Sequence, residues 1–63
     1  MLPPDVKTVF KDEKLQITYE IWAYRKVTEF EVQAQIGLFL RQMAKKKKKL
    51  KPGKTYGIVT SYH

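Results

Sequence analysis

Within a strand predicted over residues 15–25, ten successive residues alternate between a mainly apolar set and a second, more polar set, and this pattern constrains the fold more than any other feature of the chain. The odd positions are Leu15, Ile17, Tyr19, Ile21 and Ala23, and the even positions are Gln16, Thr18, Glu20, Trp22 and Tyr24. A period of two, rich in β-branched and aromatic residues, predicts a strand with one face buried.

A second strand is predicted just before this one. Residues 6–10 have β-type composition, and residues 11–14 are polar enough to form a tight turn between the two strands. The pair therefore predicts a β-hairpin. Residues 1–5 contain Pro3 and Pro4, which disfavour helix and predict an extended lead-in.

A long helix is predicted from about residue 28 to about residue 50. Thr28 and Glu31 have the spacing of a capping box, and Val27 with Val32 has the spacing of a hydrophobic staple. Apolar residues recur at helical spacing through Ile36, Met43 and Leu50, so the prediction carries the helix through the lysines that precede Leu50. Pro52 and Gly53 then supply a stop.

A third strand is predicted over about residues 54–62, where the composition is again β-type. A helix of this length can return the chain to the start of a parallel strand. The predicted fold is a small single α+β domain of order ββαβ, in which one long helix packs on one face of a three-stranded sheet.

The chain is short, and little in it can reinforce a small core. It has 63 residues, no cysteine and one histidine, the terminal His63. Disulfides and thiolate metal sites are excluded, which leaves self-association as the remaining support, and we expect a homodimer. Without cysteine, an internal histidine or a glycine-rich phosphate loop, neither catalysis nor a cofactor is expected.

Two further expectations concern location. No apolar run reaches 18 residues, so no transmembrane segment is predicted. The N-terminal residues lack the pattern of a signal peptide, so a cytoplasmic, intracellular protein is expected. The small size suits an accessory protein of a phage or mobile element.

Positive charge is concentrated in the second half of the chain. Residues 1–31 hold all six acidic residues and five cations, whereas residues 32–63 hold eight cations and no acid. Clustered cations gain free energy by releasing counterions from phosphates, which predicts nucleic-acid binding mainly through the backbone. The candidate contacts are Arg41, Lys45, Lys46, Lys48, Lys49, Lys51 and Lys54.

Trp22 and Tyr24 are a second candidate site. They lie on one face of the predicted strand, and Ile17 and Ile21 lie on the other face, which is expected to be buried. They are expected either to stack on bases or to anchor a protein interface, with a dimer preferred. The alternative function is a protein-interaction module, a small regulator or inhibitor that docks an acidic partner through its basic helix or aromatic sheet face. Attachment to anionic lipid is a weaker alternative. The choice between DNA and RNA, and between single and double strands, stays open.

Overall fold

The computed structural model describes residues 2–63 and has four secondary-structure elements. Strands β1 (Val6–Asp12) and β2 (Ile17–Ala23) come first, followed by helix α1 (Glu29–Lys45) and strand β3 (Thr55–Val59). The three strands form one mixed sheet in the order β1-β2-β3. The predicted small α+β fold of order ββαβ is therefore confirmed.

Strand pairing follows the predicted hairpin and crossover. β1 and β2 are antiparallel, with Val6 opposite Ala23 and Asp12 opposite Ile17. β2 and β3 are parallel, with Thr18 opposite Thr55. β2 is consequently the central strand, and the side of the sheet toward α1 carries the core.

Strand limits differ from the predicted ones because the hairpin turn lies further along the chain. β1 runs to Asp12, and the turn occupies residues 13–16 instead of residues 11–14. Leu15 was predicted to face the core, but it lies in this turn with 47% of its surface exposed. Gln16 closes the turn with a φ of 55°, a left-handed conformation that breaks the alternation before Ile17. β2 and β3 also end earlier than predicted, at Ala23 and Val59.

The core is built from the odd residues of β2, one side of α1, Val27 just before the helix and Ile58 of β3. Its buried members are Ile17, Tyr19, Ile21, Ala23, Val27, Val32, Ile36 and Ile58. The Tyr19 ring lies 6.1 Å from Phe39, edge to face. Its hydroxyl has no hydrogen-bond partner among residues 2–63. Burial raises the pKa of Tyr19, and the nearby Asp12 and Tyr56 raise it further.

The predicted capping box at the start of the helix is confirmed. The Glu31 N–H donates to the Thr28 hydroxyl at 3.2 Å, and the Thr28 N–H donates to the Glu31 carboxylate at 2.8 Å. These two bonds complete the capping box. Arg25 adds an interaction that the sequence pattern did not reveal, since its guanidinium donates two parallel bonds to Glu31 at 2.9 and 2.7 Å.

The predicted end of the helix is wrong. α1 ends at Lys45, and Lys46 is its C-cap. Lys47 has a φ of 54°, its N–H donates to the Ala44 carbonyl, and the Lys48 N–H donates to the Met43 carbonyl. This is the Schellman arrangement that closes a helix with a left-handed residue. Lys46 to Lys49 therefore lie in a turn and loop and do not fan around a helix.

The segment from Lys48 to Lys54 is an ordered connection tied to the sheet. The Lys51 N–H donates to the Tyr56 hydroxyl at 2.9 Å, and the Gly53 N–H donates to the Gln16 carbonyl at 2.7 Å. Gly53 has a φ of 82°, which favours glycine at this position. Leu50 packs against the core from the loop, so its apolar character serves the core without continuing the helix.

Candidate nucleic-acid interface

Three separate segments meet at one end of the domain because of how the strands pair. The hairpin turn joins β1 to the start of β2, and the start of β3 lies beside the start of β2. α1 delivers its C-terminal residues to the same end, where Phe39 contacts the rings of both Tyr19 and Tyr56. Two backbone hydrogen bonds join the loop to the turn and to the start of β2: the Gly53 N–H donates to the Gln16 carbonyl, and the Thr18 N–H donates to the Lys54 carbonyl. We call residues 11–16 and 41–54 the basic end.

Most of the positive charge of the chain lies at the basic end. The chain has 13 cations and six acids, and the acids at the basic end are Asp12 and Glu13. A net charge of about +8 is thus concentrated at one end, and the remainder of the domain is about −1. The cations of the basic end are Lys11, Lys14, Arg41, Lys45, Lys46, Lys47, Lys48, Lys49, Lys51 and Lys54.

These cations are exposed, and no ion pair involves them within residues 2–63. Residues 2–63 contain two ion pairs, and both lie outside the basic end: Lys7 pairs with Glu20 at 3.6 Å, and Arg25 pairs with Glu31 at 2.7 Å. Asp12 accepts a hydrogen bond from the Leu15 N–H and thereby stabilises the hairpin turn. The ammonium groups of the basic end are consequently available to an external anion.

All seven residues predicted from the lysine-rich half lie at the basic end. Sequence reasoning missed Lys11 and Lys14, which the hairpin contributes to the same end. A parallel third strand was predicted. Because β3 starts beside the start of β2, the lysine segment that precedes β3 lies next to the hairpin turn. Lys47 is not among the seven predicted contacts, but it lies in the same segment, and its left-handed turn leaves it exposed.

A shallow cavity of about 470 Å³ lies between the hairpin and the loop, lined by Lys11, Glu13, Gln16, Thr18 and Gly53. Its lining offers one ammonium group, one hydroxyl group and one side-chain amide. The Gly53 N–H is already bonded to Gln16, so it is not a free donor. The mixed lining, with the Glu13 carboxylate, makes this cavity a poor dedicated phosphate pocket, and the surrounding lysines are the stronger feature.

The second predicted surface is the sheet face away from α1, which we call the open face. Lys7, Val9 and Lys11 lie opposite Trp22, Glu20 and Thr18 in the hairpin, so all six share this face. Val9 is 56% exposed and, on the other side of β2, Val59 is 73% exposed. The open face is therefore mixed, because the exposed Val9 and Val59 lie on either side of Glu20, which pairs with Lys7 across the face.

Trp22 and Tyr24 do not form one aromatic platform. Trp22 lies on β2 with the Lys7 ammonium group 5.7 Å from its ring. Tyr24 lies beyond the end of β2 and stacks on His63 with ring centroids 4.3 Å apart and planes 4° apart. One face of the Tyr24 ring is therefore already covered.

Within residues 2–63, no group of three acidic, histidine or cysteine side chains is placed to hold a metal ion. No helix in the same range is long and apolar enough to cross a membrane. No family model, curated protein or solved structure matches the chain.

Proposed function

We propose that this protein binds nucleic acid through the phosphate backbone, using the exposed cations of its basic end, without catalysing a reaction. The observation that carries the proposal is the convergence of cations from the hairpin, the end of α1 and the loop onto one end with little compensating acid. Their presentation on an ordered scaffold lets several cations meet one polyanion together.

The kind of cation favours backbone contact over base recognition. Nine of the ten cations at the basic end are lysines, and Arg41 is the exception. A lysine ammonium group is a compact point charge on a flexible stem, whereas base edges are read best by planar, bidentate groups. Phosphate contacts position a protein but carry no sequence information. Binding should therefore be general across sequences.

Salt dependence is the sharpest test of this proposal. If about six cations contact phosphates on a duplex, the slope of log affinity against log salt is about −5. Between about 50 and 200 mM salt, affinity should then fall about a thousandfold. Fluorescence polarisation with labelled duplex and single-stranded oligonucleotides across a salt series measures this slope and shows which strand form is preferred.

Matched variants separate the basic end from net charge. Lys46→Gln/Lys49→Gln removes two cations of the basic end and should reduce the magnitude of the slope by about 2. Lys7→Gln/Lys26→Gln removes two cations elsewhere and should change it little. Equal effects of the two doubles would indicate diffuse attraction by net charge, and unchanged affinity when Lys45 to Lys49 are all replaced by glutamine would reject the proposal.

The open face supports one alternative function, a protein-interaction module. Val9 and Val59 are large apolar groups exposed on this face, and Trp22 lies between their strands. Trp and Tyr are favoured anchors of protein interfaces. Docking of this kind would be selective and would persist at physiological salt, whereas phosphate binding would be general and would collapse with salt. The same titrations therefore separate the two functions.

A further inference from the structure

β3 is an edge strand whose outward backbone groups have no partner within residues 2–63. The Thr18 N–H donates to the Lys54 carbonyl, and the Thr60 N–H donates to the Trp22 carbonyl. In a parallel ladder this register directs the even-numbered residues of β3 toward β2. The N–H and C=O groups of Thr55, Gly57 and Val59 consequently point away from the sheet.

The two edges of the sheet differ in how well they resist pairing with another strand. β1 carries Lys7 and Lys11 within the strand, and charged side chains on an edge strand discourage edge-to-edge pairing. β3 has no charged residue and no proline from Thr55 to Val59. Of the two edges, β3 is therefore the unprotected one.

The sequence of β3 is self-complementary about Gly57. In an antiparallel pair centred there, Gly57 lies opposite the partner's Gly57, and Thr55 lies opposite the partner's Val59. The two outward groups of each of these residues then meet matching groups, because hydrogen-bonded pairs recur at every second residue. Thr55 and Val59 are both β-branched, a type that packs well on a strand surface, and the central glycines put no side chain in the way.

We propose that two copies of this chain form a two-fold dimer by antiparallel pairing of β3, which joins their sheets into one sheet of six strands. This dimer uses the edge of the sheet and leaves the open face uncovered. It is independent of nucleic-acid binding, because the residues that carry it lie outside the basic end.

The charge distribution favours a second copy in this orientation. β3 starts at the basic end and runs away from it. An antiparallel dimer therefore places each basic end beside the opposite end of the other copy, where Glu29 and Glu31 begin α1. Side-by-side parallel packing would bring two ends of about +8 together. The two-fold arrangement avoids that repulsion.

A second copy would also cover exposed surface beside β3. Val59 is 73% exposed. A groove of about 290 Å³ between α1 and β3 is lined in part by Leu38, Phe39 and Val59.

Amide hydrogen exchange combined with light scattering tests the dimer directly. At concentrations from about 10 μM to 1 mM, mass should rise toward twice the monomer value, as expected for a weak interface. The Gly57 and Val59 amides should become protected as the dimer forms and should lose protection on dilution. Docking through the open face would produce a dimer without protecting these amides.

Charged substitutions at Gly57 test whether the dimer forms through β3. A Cβ built at Gly57 meets nothing within 4 Å, so a side chain is tolerated in the monomer. Gly57→Lys and Gly57→Glu should each be monomeric, because like charges would lie directly opposite, and an equimolar mixture of the two should dimerise again. Val9→Lys, on the same face of the other edge strand, is the matched control and should dimerise normally.

Three outcomes would overturn the proposal. The first is a monomer at 1 mM with rapid exchange at Gly57 and Val59, and the second is a dimer abolished by Val9→Lys but retained by Gly57→Lys. The third is amide protection that appears only with an added extended peptide of another protein. Thermal unfolding of each variant confirms that it is folded, and oligonucleotide titration of Gly57→Lys shows separately whether the basic end still binds.

Discussion

At the residue scale, Glu31 connects three parts of the chain around the start of α1. Its carboxylate accepts two bonds from the Arg25 guanidinium and one from the Thr28 N–H. Arg25 also donates to the His63 carbonyl at 2.6 Å, so the pair links the end of the chain to the helix start. Hydrogen bonds from Arg25, and then from Thr28, lower the pKa of Glu31 from 4.5 to about 2.

This lowered pKa predicts the sign of an acid effect on stability. A carboxylate with a lower pKa in the folded state stabilises the fold above its ordinary pKa and loses that contribution as the pH falls toward the folded value. The contribution of Glu31 should therefore be lost between about pH 4.5 and pH 2. Glu31→Gln should be less stable than the wild type at pH 7, and its stability should fall less over that acid range. Urea unfolding at a series of pH values measures both effects.

Glu29 provides the control for this prediction. It lies in the same first turn of α1 and has the same charge, but it is exposed and takes no part in the capping box. Glu29→Gln should retain most of the acid-induced loss. If Glu29→Gln reduced the acid-induced loss of stability as much as Glu31→Gln does, the effect would come from helix-dipole charge and not from the Arg25–Glu31 pair.

At the scale of elements, the end of α1 depends on one strained residue. Lys47 occupies the left-handed position after the C-cap, where glycine is the usual residue. A left-handed conformation costs an L-residue about 1–2 kcal/mol. Glycine avoids this cost, but its larger unfolded-state entropy cancels part of the gain. We expect Lys47→Gly to stabilise the fold by about 0.5–1 kcal/mol and to raise Tm by several degrees.

Lys48→Gly distinguishes backbone relief from charge relief. It removes the same charge one position later, where φ is not positive. We expect this variant to be neutral or slightly destabilising, because glycine only adds unfolded-state entropy there. Equal stabilisation by both variants in thermal unfolding would show that reduced lysine repulsion, and not backbone strain, is responsible.

Helix α1 also shows why some elements can be predicted from sequence and others cannot. Its start is encoded locally, since Thr28 and Glu31 satisfy each other within one turn. Its end is not, because Leu50 keeps helical spacing yet reaches the core from a loop. Spacing alone cannot distinguish a residue that continues a helix from one that returns to the core by another route.

The candidate site was predictable only in part for a related reason. The lysine-rich residues were evident from composition, whereas Lys11 and Lys14 join them only through strand pairing. The Arg25–Glu31 pair likewise depends on the path of the chain between β2 and α1. No local sequence pattern encodes these contacts, so they could be identified only from the tertiary fold.

At the scale of the whole molecule, the main electrostatic feature is the contrast between a basic end of about +8 and a remainder of about −1. Ten cations held at one end repel one another, and unfolding relieves that repulsion by separating them along the chain. The same arrangement that suits a polyanion therefore destabilises the isolated protein. A bound polyanion and dissolved salt should both reduce this destabilisation.

Salt should accordingly raise the stability of the free protein. Raising ionic strength from about 10 to 100 mM shortens the screening length from about 30 to 10 Å, which weakens repulsion across the basic end. We expect Tm to rise over this range, and Lys46→Gln/Lys49→Gln should give a higher Tm at low salt with a flatter salt response. Lys7→Gln/Lys26→Gln should not, because Lys7 is paired with Glu20 and Lys26 lies outside the basic end. A Tm that falls with salt in the wild type would mean that its ion pairs outweigh the repulsion among its lysines.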